Sequence, residues 1–182
     1  AARLEADKVW YVITNNAAMY DTVALFHATH SNLNTGAGSA LGDTGLAGAR
    51  AALRLQTGPK GTILNLEGKY LLVPAALEQT AERLTNPIGI ASSDYSKVIP
   101  NWIRSLQVIV EPRLDANSTA YWYLAADNSM IDTIEYCYLE GQEGVYTETR
   151  QGFDVDGVEI KARLDFAAAA VEYRGLSRNN GS

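Results

Sequence analysis

Asp156-Gly157-Val158-Glu159-Ile160-Lys161-Ala162-Arg163-Leu164-Asp165-Phe166 alternates apolar and charged side chains without a break. Successive side chains of an extended strand point to opposite faces. Val158, Ile160, Ala162, Leu164 and Phe166 therefore share one face, and Glu159, Lys161, Arg163 and Asp165 the other. Asp156-Gly157 is a tight-turn signal, and Val145 to Gln151 offers the strand that enters it. The segment reads as the closing arm of a β-hairpin with one buried and one wet face.

Towards the N-terminus, Ser105 to Val110, Ala120 to Ala125 and Thr133 to Leu139 read as further strands, with Glu111-Pro112 and Asp127-Asn128 as punctuation. Alternation places Trp122 on one face and Tyr121 and Tyr123 on the other, the pattern of a buried strand. Ile88 to Pro100 is a polar, turn-rich connection. Thr62 to Leu66 and Lys69 to Val73 read as short strands around a Glu67-Gly68 turn. Pro74 suits a helix's first turn, where its missing N–H costs nothing. Leu77, Ala81 and Leu84 give that helix a buried face, and Asn86-Pro87 ends it. An earlier helix carries Leu46, Ala49 and Leu53, with Asp43 or Thr44 as cap and Gly58-Pro59 as stop. Asn34-Thr35-Gly36-Ala37-Gly38-Ser39 has nothing to bury and reads as a loop. Trp10, Ile13, Ala17, Tyr20 and Ala24 make a helical stripe at the start, which Asn15-Asn16 can divide into two short helices. Helices and strands together give an α+β chain, with no repeat and no heptad pattern.

The 182 residues suffice for one domain or two small lobes, and 47% hydrophobic residues predict a folded core. No apolar run approaches the ~20 residues that span a bilayer. The net charge of −6 argues against specific duplex binding, which depends on lysine and arginine neutralising phosphates. The opening Ala1-Ala2-Arg3-Leu4-Glu5-Ala6-Asp7 has neither initiator Met nor signal core, as in a processed chain or a fragment. The single cysteine, Cys137, rules out an internal disulfide framework and sits in an apolar stretch as a packed thiol.

Chemistry-bearing motifs are few. The two histidines, His27 and His30, are three residues apart and can share a helix face, but no third metal ligand or zinc-protease spacing accompanies them. Hydrogen bonding to neighbouring backbone is the simpler role for both. Neither a Gly-x-Ser-x-Gly elbow nor a phosphate-binding glycine loop is present, and Gly36-Ala37-Gly38 follows no convincing strand. Asp154 and Asp156 flank the hairpin turn, and turn chemistry accounts for both. The residues thus point to no catalytic, cofactor or metal site. A serine- or metal-dependent hydrolase using His27 or His30 is the enzymatic alternative, since such triads converge only in space.

A series of phrases resembles one family. They are Leu25-Phe26-His27-Ala28-Thr29-His30-Ser31-Asn32-Leu33, Leu46 through Gln56, and Lys69-Tyr70-Leu71-Leu72-Val73-Pro74-Ala75-Ala76-Leu77-Glu78. Val108 through Leu114, Ala120 through Leu124, Tyr138-Leu139-Glu140-Gly141, Gly157 through Phe166 and Tyr173-Arg174-Gly175 follow in order. Together they are similar to the major head subunits of Mu-like phages and prophages, and to the phage major capsid proteins translated fused to a Clp-type protease. The resemblance implies the tailed-phage capsid fold of the Hong Kong ninety-seven type. That fold has an axial lobe of mixed sheet and helices, and a peripheral lobe with a spine helix beside a long β-hairpin.

On that pattern residues 1–182 form a single capsid-fold unit. Residues 1–60 hold the N-terminal helices, a loop and the spine helix, 61–144 are mainly axial lobe, and 145–182 are the closing hairpin and C-terminal segment. Leu46 to Gln56 is the expected spine helix and Asn32 to Leu41 the candidate extended loop, while the family's N-terminal arm has no counterpart here. The implied function is a non-enzymatic head-shell subunit of the virion, assembled in the bacterial cytoplasm into pentamers and hexamers around DNA held only non-specifically. Scaffold, decoration and portal proteins are its implied partners, with no membrane. Candidate inter-subunit contacts are Glu159, Lys161, Arg163, Asp165 and Arg174. A monomeric phage or prophage binding module is the other alternative.

Overall fold

The computed structural model describes residues 2–86, 99–152 and 156–181. In chain order its elements are α1 (Ala2–Asn15), β1 (Leu33–Asn34), α2 (Asp43–Arg54), β2 (Gly68–Val73), α3 (Glu78–Thr85), α4 (Asn101–Arg104), β3 (Gln107–Val110) and β4 (Trp122–Ala126). Five strands close the chain: β5 (Ile134–Tyr138), β6 (Val145–Gln151), β7 (Val158–Leu164), β8 (Phe166–Ala170) and β9 (Leu176–Asn179). The chain is α+β, as its sequence indicates. Most of the turn-rich 88–100 connection lies outside the described residues.

A five-stranded sheet in the order β1-β9-β4-β2-β3 forms the body. β2 runs parallel to β3 and antiparallel to β4, which in turn pairs antiparallel with β9. Its apolar run Tyr70-Leu71-Leu72-Val73 follows from burial on both faces, as in parallel sheets under helices. Leu71, Val73, Trp122 and Leu124 pack against Leu46, Ala49 and Leu53 of α2, Ala81 of α3 and Ile103 of α4. Leu72 and Tyr123 point the other way, into a second cluster with Ile13 of α1, Leu25, Phe26, Leu114 and Leu176. Trp122 and the tyrosines beside it divide between the two faces as alternation requires.

Several local expectations give way to tertiary structure. Thr62 to Leu66 is not a strand: a single bridge, Thr57 to Ile63, folds this segment back on the end of α2. β2 pairs with β3 and β4 instead, because Gly68 lets it close on Leu124, whose side chain lies 2.7 Å from where a Cβ would stand. The first helix ends at Asn15 and does not carry its stripe to Ala24. Asn16 turns left-handed at φ 47, and its side chain accepts the Phe26 N–H at 2.7 Å and donates to the Phe26 carbonyl. Tyr20 is consequently exposed.

The α2 helix is capped by Gly42, with Asp43 already in its first turn, and it stops at Arg54, before Gly58. The Asn32 to Leu41 tract is stitched into the body rather than extended from it. Leu33 and Asn34 pair with β9, Asn32 and Ser39 are buried, and the Trp122 indole N–H donates to the Ser39 carbonyl at 2.8 Å. That bond, invisible in local composition, is why a Gly/Ser-rich stretch finds something to cover.

Candidate assembly surface

Between β4 and β9, residues 134–170 leave the sheet as a two-stranded ribbon. β5 pairs with β8 from Ile134↔Ala170 to Tyr138↔Phe166, and β6 pairs with β7 from Val145↔Leu164 to Gln151↔Val158. Only Asp165 joins β7 to β8, whereas residues 139–144 lie between β5 and β6. The excess is a bulge, where Gly141 and Gly144 take φ of 74 and 84, which side chains other than glycine's rarely adopt.

Alternation carries one even-numbered face along β7 and β8, from Val158 through Leu164 to Phe166 and Ala170. At the base this face is partly covered. Phe166 packs on Tyr136 and Tyr138, and Ala170 and Ile134 join the cluster that contains Ile13 of α1. Burial, reinforced by the nearby Glu5 carboxylate of α1, raises the Tyr138 phenol above its usual pKa. Beyond the bulge the cover ends. Val158 is 65% and Ile160 71% exposed, and every residue of β7 before Leu164 is exposed. The expectation of one buried hairpin face is therefore corrected, because a lone two-stranded ribbon has nothing of its own to pack on. The turn is also longer than a two-residue one, since Gln151 pairs with Val158 and the Gly152 N–H donates to the Gly157 carbonyl. Asp154 lies outside the described residues.

The odd face holds the charges that the sequence singles out, and the ribbon pairs them internally. Arg150 donates from two guanidinium nitrogens to Glu159 at 2.9 and 2.6 Å, and Lys161 lies 3.8 Å from Glu148 across the strands. Arg163 approaches Asp165 at 3.3 Å, bonds Gln142 and lies over the Tyr146 ring. A depression of about 410 Å³ here is lined by Glu148, Arg150, Glu159, Ile160 and Lys161, whose charges already have opposite neighbours. Arg174 stands apart from these four, below the ribbon. It donates to Glu172 and, at 2.7 Å, to the Thr57 carbonyl, and it lies over Tyr173. Burial works against its charge, but Glu172 outweighs that and its pKa sits above the ordinary arginine value.

The model of the family described as phage capsid protein matches residues 1–179. The chain belongs to the phage capsid protein family. Neither a search of curated proteins nor one of solved structures finds a match. A match over nearly the whole chain bears out the resemblance to phage major capsid proteins and makes this a structural capsid protein, with the virion as its place.

In the capsid chain the Leu25 to Leu33 phrase is a structural joint. His30 is 3% exposed and stacks on Tyr173, ring centroids 3.8 Å apart. Its Nδ1 faces the Leu25 carbonyl at 3.1 Å and its Nε2 faces Asp21 at 2.7 Å. Neither nitrogen is left for a nucleophile. The exposed His27 caps the following turn, accepting the Thr29 N–H at 3.1 Å. Asn32, fully buried, accepts the His27 N–H and donates to the Leu25 and Tyr173 carbonyls. The histidines bond neighbouring groups as the simpler reading holds, and no observation favours the hydrolase. Among the described residues no cluster of three His, Cys, Asp or Glu could hold a metal, and no helix is long and apolar enough to cross a membrane. Cys137 is exposed rather than packed, on the ribbon face opposite the one that carries Ile134 and Ala170 into the core cluster.

Two expected outcomes follow from this joint. His30→Ala removes a buried ring, its stack and two hydrogen bonds, and should cost about 2–4 kcal/mol in chemical denaturation. The hydrogen bonds from His30 and the Val23 N–H hold the Asp21 carboxyl below its ordinary 3.8, and Lys69 does the same for Asp127. Each depressed carboxyl stabilises the fold above its unfolded pKa and loses that contribution as pH falls through the lower folded value. The melting temperature should thus drop below about pH 4, and Asp21→Asn should flatten that drop in a thermal melt series.

Proposed function

We propose that this capsid protein is a head-shell subunit that assembles into pentamers and hexamers enclosing phage DNA. The observation that supports it best is the ribbon: a pair of strands, β6 and β7, whose apolar face is uncovered. A self-contained binding module has no use for such an arm, whereas a subunit that must touch its neighbours does. Head-to-tail contact of unlike surfaces generates closed rings, and ring closure multiplies individually weak interfaces. The acidic chain suits a shell lying close to DNA without binding it tightly.

On this reading the closing segment 145–182 supplies the peripheral hairpin, and 61–144 is mainly the axial lobe. α2, with residues 1–60, belongs to the spine side. Assembly in the host cytoplasm with scaffold and portal proteins, and decoration of the finished shell, belong to the same proposal. The charges Glu159, Lys161, Arg163 and Asp165 lie beside the contact, where pairs such as Glu148 with Lys161 keep the ribbon's own strands in register. Each exposed pair is worth only ~0–1 kcal/mol, so they do not hold the shell together. Negative-stain microscopy of concentrated protein should show five- and six-membered rings or shells. A chain that remains strictly monomeric at every concentration contradicts the proposal.

A further inference from the structure

We infer that the contact surface is the even-numbered face of the β6–β7 ribbon, and that a second copy of this chain covers it. The inference rests on the shell-subunit reading and names the face that reading leaves open.

The two faces of the ribbon differ in what they still need. On the odd face, Arg150 with Glu159 and Glu148 with Lys161 oppose each other across the strands, and Arg163 has Asp165, Gln142 and Tyr146. Its charges are neutralised where they stand. The even face carries Val158, Ile160, Ala162 and Leu164 opposite Gln151, Thr149, Thr147 and Val145. Ile160 and Val158 are among the most exposed large apolar side chains described. The same face, continued into β8 and β5, meets the core cluster of the body at Ala170 and Ile134. The exposed part therefore prolongs a face that the fold half-buries at its base.

Its size identifies the kind of occupant. Each strand contributes seven residues, and with a rise near 3.4 Å and strands ~4.8 Å apart the patch measures roughly 23 by 10 Å. About 230 Å² falls well short of the ~800 Å² per partner that a stable pairwise complex buries. Two ribbons pressed together would not hold as an isolated dimer. A contact this small persists only as one of several closed by symmetry, and copies of a capsid chain supply such a set. The even face accordingly seats on a different surface of a neighbouring copy.

The test uses thiol labelling of the chain in its assembled and dissociated forms, with Cys137→Ala removing the native thiol. Ile160→Cys and Lys161→Cys then place reporters on adjacent residues of opposite faces, and Ala162→Cys gives a second even position. Assembly should slow maleimide reaction of Ile160→Cys and Ala162→Cys by about tenfold or more, and change that of Lys161→Cys less than about twofold. Rings or shells in which the even positions stay as reactive as in the free chain, or in which Lys161→Cys alone is protected, overturn the inference while leaving the shell reading intact. A chain that never assembles overturns both.

Discussion

Ile160→Asp is expected to abolish rings and shells while leaving the monomer's melting temperature nearly unchanged. Ile160 is 71% exposed in the single chain, so the substitution removes almost no packing there, and such surface changes stay within about 0.5 kcal/mol. In an assembly the same position is buried. Losing an isoleucine from a contact costs about 1.5–3 kcal/mol, and burying an unpaired carboxylate costs more. The loss recurs at every contact around a ring, so it compounds. Glu159→Gln is the matched control on the opposite face: it weakens only an exposed pair worth ~0–1 kcal/mol and should assemble nearly as before. Mass photometry beside thermal melting separates the two effects. An Ile160→Asp chain that still forms rings would place the contact elsewhere.

Trp122→Ala should be the most damaging substitution for the fold itself. Trp122 is fully buried at the centre of the sheet face that packs on α2, α3 and α4, and its indole N–H holds the Ser39 carbonyl. Removing a buried tryptophan typically costs about 3–5 kcal/mol, a large share of the ~5–15 kcal/mol that stabilises a domain. The tract from Gly36 to Leu41 should loosen with it, because the bond to Ser39 is one of its ties to the sheet. Trp122→Phe keeps much of the packing and isolates the hydrogen bond, and should cost about 1–2 kcal/mol. Urea denaturation gives both values. A Trp122→Ala midpoint close to wild type would contradict this account of the core.

The body was legible wherever a pattern reports burial. Leu46, Ala49 and Leu53 predict the α2 face that packs, and Trp122 with its flanking tyrosines predicts a strand buried on both sides. The ribbon's strands and the alternation of β7 were equally plain. Alternation says that two faces differ, however, and not that either is covered within the same chain. That is why the wet side was read correctly and the buried side was not. The charges at Glu159, Lys161 and Arg163 drew attention as interface candidates because partners across a strand pair cannot be seen in one strand's sequence. Arg174 was grouped with them by charge alone, while the fold places it beneath the ribbon on the Thr57 carbonyl. The Tyr173-Arg174-Gly175 phrase acquires its meaning only in three dimensions. Tyr173 stacks on His30, and Gly175 passes so close to Thr133 and Ile131 that a Cβ would meet them at 2.5 and 2.6 Å.

The most direct test of apolar-face assembly is mass photometry of the wild-type chain from low salt to about 1 M, where the Debye length has shrunk to ~3 Å. If the even face holds neighbouring subunits, ring species persist or grow as salt rises, because apolar burial is not screened. Rings that dissolve into monomers at high salt would mean that the odd-face charges carry the contact, contradicting the account.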